Sequence, residues 1–435
     1  MAESRIAVRA AGRRWLQRGT RGVRRTLARR TGLLSYLAIL GPGMIAANAG
    51  NDAGGIATYA SVGADYGYRL LWILIPITIS LGIVQEMCAR MGAITGKGLA
   101  DLIRERFGVR WTALVMLALL IANGGVTVSE FVGIAAATEL FGVPRYIAVP
   151  LAAASIWWLV VKGSYKRVER VFLLMSLVFL GYIVSAFLAH PAWGTVARQI
   201  VRPNFSLDTA YLFTFVAIVG TTISPYMQVF VQSSVVEKGV TAEDYALTRA
   251  DVWAGTIFAI VIVFFIMIST AATLNVHNRH ISDAADAARA LEPLAGRYAE
   301  LLFAVGLFGA SMLAAGVLPL ATAYSISEAL GYEKGVSRNF REAPIFLGIF
   351  TFLIVVGALV AMIPGLSLWY VLLATQVING LLLPVILIAV LLLVNDKDLM
   401  GTHTNGALYN AAAWLTAIIV SALSLLLIAK TLFSF

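Results

Sequence analysis

Two carboxylates interrupt stretches of sequence that are otherwise apolar. Asp52 stands in AANAGNDAGGIATY (46–59) and Glu130 in NGGVTVSEFVGIAAATEL (123–140). A charge at bilayer depth costs at least ~2.5–3.5 kcal/mol on insertion scales, so such a residue is read first as functional. The cores of the apolar segments hold no Lys or Arg, which leaves a cation from outside the chain as the counter-charge. The competing readings are a carboxylate that caps a broken helix, for Asp52, and a protonated acid hydrogen-bonded between helices, for Glu130. Glu130 shares one polar stripe with Asn123 and Thr127, at i, i+4 and i+7. Two carboxylates facing one cavity would balance a divalent ion.

Neutral oxygens accompany them. Ser224-Pro225-Tyr226 places a proline inside an apolar run, and its missing N–H frees the carbonyl one turn back, near Thr221. A free carbonyl is a hard ligand suited to magnesium, calcium or manganese; a plain proline kink is the other reading. Gln376 and Asn379, one turn apart in LLATQVINGLLLP, either complete such a site or pack between helices. Glu139 lies near a segment end and is read as interfacial. The four histidines, His190, His277, His280 and His403, fall at segment ends or in loops without zinc-site spacing. Asp283 and Asp286 either make an outer vestibule acidic or form a solvated helix face. The lone Cys88 excludes an intramolecular disulfide and reads as a small buried filler. GAITGKG lacks P-loop spacing, and no nucleophile–base pair appears, so the chain is not expected to be an enzyme.

The elements that must position these groups are membrane helices. The 435 residues are 60% hydrophobic and 13% charged, with a mean hydropathy of +0.84. A soluble chain carries roughly 25% charged residues. Eleven apolar runs of spanning length centre on 34–60, 68–93, 111–139, 145–162, 170–189, 208–235, 252–275, 298–329, 344–363, 367–394 and 408–431. Ten arginines against one acid give residues 1–32 a charge near +9. That run reads as a cytoplasmic basic tail touching anionic lipid, not as a nucleic-acid arm or a signal peptide. Residues 33–435 form the transmembrane domain. The 2–3, 4–5 and 8–9 connections are the basic ones, which puts the N-terminus inside and the C-terminus outside. ADLIRERFG (100–108) and SDAADAARALEPL (282–294) read as short surface helices.

Segment 1 is interrupted at Asn51–Gly55 and segment 6 at Thr221–Tyr226, five segments apart. Broken helices at matching positions of two halves predict an all-α inverted-repeat transporter, with unwound backbone lining a midplane site.

The residues themselves resemble a known family. GPGMIAANAGNDAGGIATYASVGADYGYRLLW (41–72) resembles the first-helix region of the Nramp family of divalent-metal transporters, whose motif there is Asp-Pro-Gly-Asn. EMCARMGAITGKGLADLIRERFG (86–108), SPYMQVFVQS (224–233) and LVNDKDLMG (393–401) are similar to its second, sixth and tenth helices, and the likeness runs over roughly 33–432. It implies a LeuT-type 5+5 inverted repeat of 11 helices, with helices 1 and 6 broken around the metal. Carried over, Asp52 keeps the metal-binding aspartate, Ala49 and Thr221 keep backbone-carbonyl positions, Gln376 keeps the tenth-helix glutamine and Glu130 the third-helix glutamate. The family's proline is Ala53 and its asparagine Gly55. The sixth-helix sulfur ligand is Ser224 and the histidine after it Tyr226. The proton-path aspartate is Thr127, and an arginine pair falls on Gly357 and Ala358.

A hydroxyl in place of a thioether removes the preference for soft metals. Glycine in place of asparagine enlarges the site for an ion that keeps water, as Mg²⁺ does. The lost titratable groups are those a proton path needs. The pattern resembles the Nramp-related magnesium transporters, and implies uptake of partly hydrated Mg²⁺, and also Mn²⁺, by alternating access without proton coupling. The ion is substrate, and no cofactor is expected. A proton-coupled Mn²⁺/Fe²⁺ Nramp transporter and a LeuT-fold amino-acid permease are the alternatives. The lipid bilayer is the other expected partner, nucleic acid is not one, and a monomer in the plasma or inner membrane is expected.

Overall fold

Runs of apolar residues with helix-stopping glycines between them become helices wherever they can be followed. The computed structural model describes residues 50–162, 180–296, 299–333, 335 and 338–433, all within one compact unit, Pro42–Phe435. In chain order the helices are α1 Ala53–Tyr66, α2 Leu74–Thr95, α3 Leu99–Leu140, α4 Arg145–Lys162, α5 Leu180–Leu188 and α6 Trp193–Ile200. They continue with α7 Thr209–Thr222, α8 Pro225–Glu237, α9 Tyr245–Thr273, α10 Ala284–Ala288, α11 Glu292–Ala295 and α12 Ala299–Leu330. The last four are α13 Pro344–Ala361, α14 Leu368–Val394, α15 Lys397–Met400 and α16 Ala407–Phe433. No strand occurs among the described residues.

Among those residues nine stretches are long and apolar enough to cross a membrane, and they correspond to runs 2–4 and 6–11 of the eleven expected. Runs 1 and 5 lie partly outside the described residues; α1 and α5 are their described parts.

Local chemistry sets the ends that matter. Gly108, at φ 77°, lets α3 turn sharply, so the surface helix expected over 100–108 joins the third span across a kink. The second expected surface helix divides into α10, a 3₁₀ turn and α11; Asp283 caps α10 through the Asp286 amide, and Asp286 pairs with Arg289 at 3.0 Å. Both acids are thus occupied structurally.

The interior is mainly apolar, and large apolar side chains also cover the outside. Large apolar side chains face outward on α4 (Leu151, Trp158) and α16 (Leu415, Ile418, Leu425), the surface that lipid covers. Polar side chains are also buried inside, where α3 runs along α12 and α14, α14 crosses α7, and α1 packs on α9. Gly220 of α7 and Gly380 of α14 meet backbone to backbone at that crossing; a methyl on Gly380 would sit 2.5 Å from the Val216 carbonyl oxygen.

One expectation needs correcting here. By sequence Arg90 counts with Lys97, Arg104, Arg106 and Arg110 among the basic residues of the 2–3 connection, but it belongs to α2 and is nine-tenths buried. It pairs with Glu86 at 3.4 Å and donates to the His403 carbonyl at 3.0 Å, while Tyr409 donates to Glu86 at 2.7 Å. The long guanidinium can stay charged there because carbonyls of the 10–11 connection surround it.

Candidate metal centre

Asp52 is the last residue before α1. Its extended backbone (φ −72°, ψ 179°) makes it the N-cap, and its Oδ1 accepts the Gly55 amide at 2.5 Å. Gln376 of α14 donates its Nε2 to the same oxygen at 3.5 Å. The second oxygen, Oδ2, is buried with no hydrogen-bond partner. The capping reading of Asp52 is thus seen directly, and Oδ2 is the oxygen that the cap does not use.

Glu130 of α3 reaches the same helix end. Its Oε2 accepts the Ala53 amide at 3.2 Å, and its Oε1 accepts from Ser129 at 3.3 Å. Two fully buried carboxylates thus converge on the start of α1, whose free amides and dipole favour negative charge. The approach needs Gly133, since a methyl there would clash with Ala53 and Ser311.

The break in the sixth segment faces this point. α7 stops at Thr222, Ile223 and Ser224 are not helical, and Pro225 opens α8 at the first helical position, where its missing N–H costs nothing. Asn379 spans the gap, donating to the Gly220 carbonyl at 3.0 Å and to the Ser224 hydroxyl. It acts as a strut, and it takes up the Ser224 oxygen. Thr221 Oγ1, Gln376 Oε1 and Tyr226 OH are buried without hydrogen-bond partners, as is Asp52 Oδ2. Buried polar atoms normally find partners, so four without one in a single neighbourhood make this the candidate ligand site.

Asp52, Glu130, Thr221, Ser224 and Gln376 are brought together, each no more than 1% exposed. Ala49 lies outside the described residues. Gly55 departs from expectation. Gly50, Asn51 and Asp52 are not helical, while Gly54 and Gly55 already belong to the first turn of α1. A methyl on Gly55 would stand 2.8 Å from the Gly50 carbonyl oxygen and 3.0 Å from both Asp52 Oδ1 and Thr221 Oγ1. Here glycine does not leave room for water; it lets three oxygens come close around the helix start. Gly54 likewise lies against the Gln376 side chain, with a methyl there 2.8 Å from Cδ.

The polar stripe on α3 also divides. Thr127 turns its hydroxyl onto the Asn123 carbonyl at 2.7 Å, and Asn123 donates to Thr322 of α12 at 2.9 Å, so neither joins Glu130. Gly357 packs against the Phe131 ring and the Thr127 methyl.

Two aromatic residues also lie here: Tyr59, which sequence reasoning did not single out, and Tyr226, which it named only as the residue at the family's histidine position. Tyr59, two turns from Asp52 on the same face of α1, shares a 2.8 Å hydrogen bond with Thr222. Tyr226 lies within electrostatic reach of Asp52, Glu130 and Tyr59. The i, i+7 spacing of Asp52 and Tyr59 was the available signal. Met227, the one sulfur beside the break, is turned to α2, where Gln85 Nε2 donates to it at 3.5 Å. Among the described residues no cluster of three His, Cys, Asp or Glu forms.

Membrane-length helices around buried oxygens, with α7 ending at Thr222 where α1 begins at Ala53, fit the build of a secondary transporter with an inverted repeat. The chain belongs to the Nramp family: the family model described as natural resistance-associated macrophage protein-like matches residues 43–430. It is 28% identical over 421 residues to a divalent metal cation transporter MntH of Ralstonia nicotianae, covering 91% of each chain. It is also 28% identical over 422 residues to the protein of that name from Deinococcus radiodurans, covering 93% of this chain and 90% of the relative. A solved manganese transporter of Eremococcus coleocola superposes with a TM-score of 0.73 at 20% identity, over 93% of this chain and 89% of that one. Mhp1, a nucleobase-cation-symport-1 family transporter, superposes at 0.54 with 15% identity over 91% of each. These two likenesses establish the LeuT-type fold. The relatives are transporters and not enzymes.

Proposed function

We propose that this chain carries a divalent cation through the membrane by alternating access, and that Mg²⁺ is the preferred ion, with Mn²⁺ also accepted. The observation that carries the reading is the unpartnered Asp52 Oδ2 among unpartnered neutral oxygens of Thr221, Gln376 and Tyr226, with the neighbouring methionine sulfur turned away. Carboxylate, amide and hydroxyl oxygens suit hard cations and give soft ones no advantage. Asp52 binds the ion directly or through water. Ser224 and the Ala49 and Thr221 carbonyls complete the set, with Gly55 allowing the approach. Glu130 holds the hydration shell when it leaves the Ala53 amide.

Transport without proton coupling is supported by what surrounds Glu130. The Thr127 hydroxyl is spent on its own helix, and Gly357 meets an aromatic ring and not a titratable group. An inside-negative potential contributes ~2.3 kcal/mol per charge per 100 mV, and twice that for a divalent ion, which is enough to drive accumulation. The reading includes residues 1–32 as a cytoplasmic basic tail, 33–435 as the transport domain, the C-terminus outside, a monomer, and the plasma or inner membrane.

A proton-coupled Mn²⁺ reading is favoured by one observation, the pairing of Asp52 and Glu130 on a single helix end, where one carboxylate can hold a proton while the other binds metal. Proteoliposomes loaded with a magnesium indicator and a pH indicator separate the two. Mg²⁺ uptake at constant internal pH, lost in Asp52→Ala, is the expected outcome. Acidification in step with metal would establish the coupled reading, and wild-type uptake by Asp52→Ala would overturn the site.

A further inference from the structure

A second polar site lies at the membrane boundary, far in sequence from the metal centre. At the end of α14, the start of α16 and the segment of α3 before Gly108, a cavity of about 560 Å³ is lined on one side by Arg106, Asn395, Asp396, Lys397 and Asn410. Its other wall is apolar: Leu391, Leu392, Phe107 and Trp414. The volume falls within the range of small-molecule sites.

The polar wall is held in place from below. Asp396 is nearly buried and caps α15 through the Asp398 amide at 2.9 Å, and its other oxygen forms an ion pair with Arg106, 2.7 Å from Nε and without hydrogen-bond geometry. Asn395 donates to Asn410 at 2.7 Å. One edge of the Arg106 guanidinium is thereby fixed while its side chain remains half exposed. Lys397 is exposed beside it, so the cavity wall carries two cations against one carboxylate. The apolar wall opens toward lipid: Leu392 is 47% exposed and Trp414 is half-buried. An indole and long cations where a helix meets the membrane surface are the usual anchors of the headgroup layer.

We infer that this cavity binds the phosphate headgroup of an anionic phospholipid, with Arg106 and Lys397 on the phosphate, Asn395 and Asn410 on the polar headgroup, and Trp414 with Leu391 and Leu392 along the first acyl carbons. Net positive charge selects anionic over zwitterionic lipid, and the continuous apolar wall selects a lipid over free phosphate. The 2–3 and 10–11 connections that build the cavity include basic residues of one membrane face, where anionic headgroups are attracted.

The test uses the full-length chain in detergent, titrated with phosphatidylglycerol, phosphatidylcholine or inorganic phosphate while the thermal midpoint is followed. Phosphatidylglycerol is expected to raise the midpoint, and the other two to leave it within error. Each cation near the surface contributes a comparable share of the attraction, so Arg106→Gln/Lys397→Gln should weaken the phosphatidylglycerol response roughly 30-fold. Lys397→Arg should retain it, and Arg341→Gln, a basic loop residue outside the cavity, should respond like wild type. An undiminished response in the double variant overturns the assignment, as does an equal response to phosphatidylcholine. An equal response to inorganic phosphate overturns the lipid.

Discussion

Replacing Asp52 by Asn separates the two tasks of its carboxylate. Oδ1 caps α1 through the Gly55 amide at 2.5 Å, and Oδ2 is buried without a partner. Asn ranks with Asp as an N-cap, so the cap survives the change. What disappears is a buried charge, whose desolvation costs several kcal/mol. The helix dipole returns up to ~2 kcal/mol of that, so metal-free Asp52→Asn should be more stable than wild type by about 1–3 kcal/mol. Asp52→Ala also loses the cap, worth ~1 kcal/mol, and should melt below Asp52→Asn. The response to metal runs the other way. At a hundred times Kd, a bound ion adds about 2.7 kcal/mol to wild type and nothing to either variant. Thermal unfolding of the detergent-solubilised chain in chelator and in Mg²⁺, for all three proteins, reads both effects. A full Mg²⁺ shift in Asp52→Asn refutes the metal role. Metal-free Asp52→Asn melting below Asp52→Ala refutes the capping argument.

Gly55→Ala drives a methyl to within 3.0 Å of three oxygens, an overpacking of about 1–3 kcal/mol against this arrangement. Mg²⁺ uptake should fall about 5- to 150-fold, and an unchanged liposome flux would contradict the geometry. Ser224→Cys exchanges a hydroxyl for a soft sulfur, and Cd²⁺ should then inhibit Mg²⁺ flux at a concentration at least roughly tenfold lower than in wild type. Equal inhibition curves would remove Ser224 from the site. Asn379→Ala leaves the Gly220 carbonyl buried and unmatched, which costs ~1–3 kcal/mol and should appear as a lowered thermal midpoint.

The broad architecture was readable because bilayer and backbone impose one rule each. Apolar runs of spanning length mark helices, and run 4 coincides with α4 at both ends. Asp52, Glu130 and Pro225 stood out because each is expensive in an apolar segment. What stayed hidden depends on direction. The eleven-run pattern shows that Asn123, Thr127 and Glu130 share a face of α3, but only packing shows that Asn123 turns to Thr322 while Glu130 reaches Ala53. Gly55 was misjudged for the same reason: a missing side chain reads as space, and here neighbouring oxygens have moved into it. Arg90 was placed in the 2–3 connection, and its pairing with Glu86 went unread, because a charge pair one turn apart near a span end looks like loop sequence.

The 3.2 Å contact between Glu130 and the Ala53 amide joins two different helices, α3 and α1. If the proposed alternating-access cycle shifts α1 against α3, this contact would work as a catch. A hydrogen bond to a charged group is worth about 1.5–3 kcal/mol, enough to hold the shut state roughly ten- to a hundredfold over the open one. A cation arriving beside Asp52 competes with that amide for the same carboxylate. Under the proposed function, the cargo would loosen the catch as it takes its seat, and an empty carrier would stay latched.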